Sequence, residues 1–439
     1  DAASLKEQLV LKSTRNLQGY QSGGGQAHGT PMAADAPVIE AGGMKDGKPD
    51  PKHYQDVLPA TTSKPASSLH WKVNLGKGER LGIGYIVPPP PTTGNSLGSY
   101  ITVKADIKGP NDSTCVDKDK SASNANEFYR SLGGATISHA IGENSSCQPG
   151  DYNISLERTG SLEGQHDLPI ELMLWKVPEA ADTTTTSAPP TDKPQPTNLE
   201  VGNSAGKLPT ALGPSDAPTV KPGTYDAEIV PGEMLWFKVP VEEGQRLQMA
   251  FDVPPVEAKN SEEPGRRLYW DVMGPTFYPV ITEAPEKTAT ISDDSVEVFK
   301  DKAATGSTIT HPIRWNNINS SDSDVSGSFV SGEQYVALRY STLFRKADQN
   351  TQSIPIKFRV AVAATGEAEK APTLSYNGEQ QSATASAATD SSSTSANADG
   401  GNSTGGIRRT ATTLAVGGGA VGLVALLVIG VVIITRKRR

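Results

Sequence analysis

Leu69–Leu81 reads LHWKVNLGKGERL, and Leu235–Leu247 reads LWFKVPVEEGQRL. The two strings align without a gap, and both run on to a Val-Pro-Pro, at Val87 and at Val253. Working outward, VKADIKGP ending at Pro110 matches LYWDVMGP ending at Pro275. GDYNISLER from Gly150 matches GEQYVALRY from Gly332, and LPIELML after Asp167 matches IPIKFRV after Ser353. Four anchors in one order mean a duplicated domain of about 150 residues, an ordinary single-domain size. Near the start of each copy stands an Asp-Ala-Pro, at Asp35 and at Asp216.

The periodicity is that of strands. Trp71, Val73 and Leu75 alternate with Lys72 and Asn74, and Leu247, Met249, Phe251 and Val253 share one face. Period two broken by Gly-Lys-Gly, Gly-Glu and Gly-Pro turns predicts antiparallel sheet with one buried face. The fold class expected is all-β, two tandem antiparallel β-sandwich domains. Their spans are 31–178 and 216–364. A helix and Gly-rich lead occupy 1–30, with Ser4 and Glu7 as a capping box and Leu5, Leu9 and Leu17 on one side. A Pro/Thr-rich flexible linker fills 179–215 and a low-complexity stalk fills 365–410.

Composition agrees. The 439 residues include 43 Gly and 33 Pro, with only 36% apolar residues, so long stretches bury nothing. The net charge of −8, with no basic stripe in the folded part, argues against a nucleic-acid partner. Leu414–Ile434 carries no charge, and as a helix it is about 30 Å long, the thickness of a bilayer core. A transmembrane helix is expected over 411–435. The basic tail 436–439 places the C-terminus in the cytoplasm and the rest outside the cell. Gly418 and Gly422, four apart, mark a face for helix self-association. The first residue, Asp1, is not Met, which fits removal of a signal peptide or a longer N-terminal region. The two cysteines, Cys115 and Cys147, are expected to pair as a disulfide outside the cell.

PGTYDAEIVPGEMLWFKVPVEEGQRLQMAFDV resembles the bacterial pre-peptidase C-terminal domain and related jelly-roll modules. Tyr225, Trp236, Phe237, Gly244, Gln245 and Leu247 carry the likeness, as do Tyr54, Trp71, Gly78 and Leu81 in the first copy. With GTPMAADAP and the helix before Gly19, the arrangement resembles the membrane-proximal part of actinobacterial surface proteins associated with a von Willebrand factor A domain. The resemblance implies a jelly-roll fold and a cell-surface location, not a reaction.

Chemistry is sparse. GNSAG at 202–206 has the spacing of a nucleophile elbow but not its strand and helix. Six scattered histidines lack zinc-ligand spacing, and SSDSDVSG lacks the distal acid of a calcium loop. No catalytic residue, metal ligand or cofactor is expected. Binding candidates lie in loops that differ between the copies: Phe277 and Tyr278, then Trp315 with the amides of Asn316 and Asn317, suited to stacking on an envelope glycan or protein ligand. The expected function is non-catalytic adhesion, ligand binding or scaffolding at the membrane. The alternatives are an accessory or sensor subunit of a membrane complex, or a hydrolase.

Overall fold

The computed structural model describes residues 24–376 apart from 46–47, 61–66, 88–99, 124–131, 143–144, 162–166, 181–182, 196, 230–232, 257–265, 285–290, 293, 300 and 343–354. The candidate membrane span, Gly418 and Gly422 lie outside these residues. Among the described residues no helix is long and apolar enough to cross a membrane.

The described chain is mostly antiparallel sheet with a few helical turns. Seven principal strands build the first module: β1 Lys52–Leu58, β2 Ser67–Leu75, β3 Arg80–Val87, β4 Tyr100–Lys108, β5 Leu132–Ile137, β6 Gly150–Ser161 and β7 Leu168–Val177. Seven equivalents build the second: β8 Gly223–Ile229, β9 Met234–Val241, β10 Arg246–Val253, β11 Arg266–Met273, β12 Ala304–Thr310, β13 Gly332–Thr342 and β14 Ile356–Thr365. One sheet of the first module runs β1-β7-β3-β5 and the other β2-β6-β4. In the second module the orders are β8-β14-β10-β12 and β9-β13-β11. Each module is therefore a β-sandwich with the same strand order.

The register repeats as well. Trp71 faces Ile154 across β2 and β6, and the aligned Phe237 faces Val336 across β9 and β13. Asn153 faces Lys108, and the aligned Tyr335 faces Met273. The fourth anchor is shifted. Gly82 pairs with Trp175, whereas the equivalent Gln248 pairs with Ala363, two residues beyond the position aligned by sequence. An even shift keeps every side chain on its face, so the core tolerates it.

Alternate residues of both sheets fill each core. The first packs Trp71, Val73, Tyr85, Val103, Ile154 and Leu172; the second packs Phe237, Val239, Phe251, Trp270, Leu338 and Val360. Phe251 and Trp270 stack with centroids 4.6 Å apart. Such a pair adds about 0.5–1.5 kcal/mol beyond its buried area.

Cys115 and Cys147 form the expected disulfide, closing a sequence separation of 32 residues within the first core. In the chain-entropy account a loop of this length is worth roughly 3–4 kcal/mol. Cys115→Ala with Cys147→Ala should lower stability by about that amount. Denaturant melts of the wild type with and without reductant would show whether reduction reproduces the loss.

The flexible linker does not hold. Its residues are fastened along the second module's edges by backbone hydrogen bonds: Ala205 N to Thr224 O, Leu208 N to Asp226 O, and Ala211 N to Trp236 O, all at 2.8–2.9 Å. The first module carries the same strap. Thr30 and His70 exchange backbone bonds as Ala211 and Trp236 do, and Lys72 N reaches Pro37 O as Lys238 N reaches Pro218 O. The repeated unit thus starts near Gly24 and near Ala205, upstream of the boundaries 31 and 216. Sheet edges present unpaired N–H and C=O groups, and a Pro-rich polar segment can satisfy them without any apolar pattern of its own. The stalk boundary also moves. Leu374–Ser375 pairs with Glu179–Ala180, and the Tyr376 hydroxyl donates to Lys176 O at 2.9 Å.

Candidate functional site

The two modules meet face to face. The outer side of β3, β5 and β7 presents Ile86, Ala135, Ile137, Met173, Trp175 and Val177. Against it lie Met234, Trp236, Met273 and Ala337 from the outer side of β9, β11 and β13, and the loops that follow β11 and β12. Glycines on the first module set the approach. A Cβ on Gly84 would fall 2.2 Å from Thr276 O, and one on Gly133 would fall 3.0 Å from Met273 Sδ.

Every aromatic selected for ligand contact sits in this junction. Phe277, Tyr278 and Trp315 are 1%, 2% and 5% exposed. Phe277 packs with Ile86, Met173 and Trp236, edge-on to Tyr335 at 5.2 Å and to His53 at 6.1 Å. Its φ of 59° lies in the left-handed region, which costs an L residue roughly 1–2 kcal/mol. The tight turn closed by Phe277 N to Gly274 O and Gly274 N to Tyr278 O imposes that backbone, and it aims the ring into the first module. Tyr278 and Trp315 both meet Phe329 edge-on, and Trp175 of the first module stacks on the same ring at 6.2 Å. Burial raises the Tyr278 phenol to about 12. Asn317 is buried and donates to Pro312 O and Ser328 O, both at 2.7 Å. Asn316 is half-buried and donates to Thr186 O at 3.1 Å. These residues are corrected from ligand contacts to module-junction and loop-bracing residues. Loops that differ between copies do differ for a reason, but here the reason is that only the second module meets a partner on this face.

The junction has a polar rim. Ser215 donates to Glu171 Oε1, Lys118 Nζ to Ser320 O, and Lys238 Nζ to Glu333 Oε2 at 2.6 Å. His53 lies at the rim, and burial pulls its pKa below the ordinary histidine value; Asp50 opposes that shift and Lys238 reinforces it. The unfolded chain therefore takes up the proton first as pH falls, so the folded form loses stability below about pH 6.5. His311 is shifted in the same direction by burial. His53→Gln should shrink, not abolish, the fall in melting temperature between about pH 7.5 and pH 5. An unchanged fall would assign the acid sensitivity elsewhere.

The face of the first module equivalent to the one buried in the second is polar. Where the second module has Met234, Trp236, Tyr335 and Ala337, the first has Ser68, His70, Asn153 and Ser155. His70 stands between the Ser68 hydroxyl and Asn153 Oδ1, 3.0 Å from each. GNSAG lies in the strap, where Gly202 N donates to Thr224 Oγ1 at 3.2 Å. Asp322 caps the one-turn helix Ser323–Ser326, accepting from Asp324 N at 2.9 Å. Among the described residues no three His, Cys, Asp or Glu side chains are placed to hold a metal ion.

No protein family matches the chain, and no curated protein does. Among solved structures, the tandem CBM22 domains at the N-terminus of Xyn10C from Paenibacillus barcinonensis align at 14% identity, over 79% of this chain and 100% of that one, with a TM-score of 0.18. The CUB1-EGF-CUB2 domains of rat MASP-1 align at 10% identity, over 74% and 99%, with a TM-score of 0.16. The ANX2 ectodomain of Arabidopsis thaliana aligns at 12% identity, over 74% and 92%, with a TM-score of 0.18. Likenesses this distant carry no argument about the chain. Its class rests on its own geometry, a tandem β-sandwich protein whose modules share a buried junction.

Proposed function

We propose that this chain is a non-catalytic, type I membrane-anchored cell-surface protein of the bacterial envelope, of the von Willebrand factor A domain-associated type. It displays two jelly-roll modules for adhesion, ligand binding or envelope scaffolding. The observation that carries the reading is the buried Cys115–Cys147 disulfide in a chain whose residues 414–434 are uncharged and apolar. A structural disulfide belongs to an oxidising compartment, and the apolar segment supplies the anchor. In each module the first principal strand pairs with the last, β1 with β7 and β8 with β14, which supports the jelly-roll reading. The shared junction favours display of one stiff body over two tethered modules. Gly418 and Gly422 supply a face for helix pairing in the membrane.

Protease treatment of intact cells making the full chain tests this. The folded part should be shed from the cells, with the C-terminal basic residues left inside. A chain that stays protected, with both cysteines open to alkylation, would reject the location. Glycan arrays and envelope pulldowns with the shed part would then separate a binder from a scaffold.

A further inference from the structure

The described chain enters and leaves the tandem on the same module. Gly25–Gln26 pairs with Tyr54–Gln55 of β1, and at the other end the Tyr376 hydroxyl donates to Lys176 O of β7 at 2.9 Å. Yet the last principal strand, β14, belongs to the second module and stops at Thr365. Residues 366–376 therefore run back across the junction. Gly366, at a φ of 91°, turns the chain out of β14. Glu369 then fastens it to the second module: its N–H donates to Glu243 O at 2.7 Å, and its carboxylate pairs with Arg314 at 2.6 Å. Ser187 N donates to the same carboxylate at 3.1 Å. Further on, Leu374–Ser375 pairs with Glu179–Ala180. Leu374 and Ala180 pack on the apolar cluster in which Trp175 of the first module meets Tyr278, Trp315 and Phe329 of the second. Tyr376 lies beside Gly43, whose Cβ would stand 3.6 Å from its hydroxyl, and burial raises the phenol to about 12.

This segment and the strand it follows resist a pull differently. The bonds of residues 366–376 are few and spread along the segment, so a pull from beyond Tyr376 meets them one after another. β14 is bonded on both flanks, to β8 and to β10, so a pull along it must break those ladders together. The segment yields before either sandwich does. While it is seated, tension between the two ends of the tandem bears on the first module alone. Once it is lifted, the same tension runs through β14 and the second module to the junction.

We propose that residues 366–376 are a load-sensitive clasp: seated, they hold the module junction shut, and tension on the chain beyond Tyr376 lifts them and lets the modules part. Opening uncovers the apolar cluster at Trp175, Tyr278, Trp315 and Phe329. Only the source of the tension rests on the display reading; the clasp itself does not.

Stretching the purified full chain by its two ends, in detergent, tests the clasp wherever the protein resides. The wild type should show a short step, since the eleven residues 366–376 span at most about 40 Å. That step should come at lower force than the longer ones in which the sandwiches unfold. Ala180→Cys with Leu374→Cys ties the clasp to its seat, because facing residues of antiparallel strands stand about 4.5–5.5 Å apart, within disulfide range. This variant should lose the short step. Glu369→Ala with Tyr376→Phe should move the step to lower force. Without load, the same double variant should raise hydrogen exchange about tenfold or more at the amides of Gly274 and Phe277 in the junction turn, and leave β6 unchanged. A wild type without the short step overturns the proposal, as does a short step that survives in the tied variant. Unchanged exchange at Gly274 and Phe277 in the double variant overturns it too. Protease treatment of intact cells decides the display reading separately.

Discussion

Replacing Phe277, Tyr278 and Trp315 together with Ala is expected to collapse the thermal stability of the described unit. Each side chain is buried in the junction, and truncating a buried aromatic costs about 3–5 kcal/mol. Three such losses approach the whole stability of an ordinary domain, roughly 5–15 kcal/mol. The losses will not add simply, because Tyr278 and Trp315 both lean on Phe329. The readout is a thermal melt with limited proteolysis: a large fall in midpoint, and new cleavage in the strap. Val57→Ala, at a half-exposed valine, should shift stability by no more than about 0.5 kcal/mol. An unchanged midpoint in the triple variant would return these residues to the role of surface ligands.

Gly84→Val should separate the modules without emptying either core. Its Cβ would stand 2.2 Å from the Thr276 carbonyl oxygen and 2.9 Å from Phe277 Cβ. Both obstacles belong to a turn held by its own hydrogen bonds, so little can give way. Overpacking costs about 1–3 kcal/mol where side chains can shift, and more where backbone blocks the way. Small-angle scattering should show a larger radius of gyration, while circular dichroism keeps its sheet signal. Gly25→Val is the control, since a Cβ there meets nothing within 4 Å. Equal behaviour of the two variants would mean that the modules do not depend on this contact.

The duplicated architecture was legible because a sandwich core imposes period two and repeats it. Leu235, Phe237 and Val239 reproduce Leu69, Trp71 and Val73 because both sets point inward from the same strand. The disulfide was legible from two cysteines and a compartment. The junction was not, although traces of it stand in the strings. In β9, Met234 and Trp236 interleave with Leu235 and Phe237, and in β3, Gly82 and Gly84 alternate with Ile83 and Tyr85. A continuous apolar run, or glycines along one outer face, means burial on both sides, but it does not say against what. Phe277 illustrates the same limit: an aromatic in a copy-specific loop suits a ligand and a neighbouring module equally well until the neighbour's position is known.

Local alternation along the chain determined by itself the strands, their inward faces and the fact of duplication, since each depends on residues two apart or on a repeat that can be read in one dimension. Tertiary structure alone decided where the outer faces go. The strap binds through backbone groups that every residue carries, so no side-chain pattern marks it. The docking of the second module on Gly84 and Gly133 depends on shape between residues roughly 140 to 190 positions apart in the chain, and shape over that distance exists only once both sandwiches have formed.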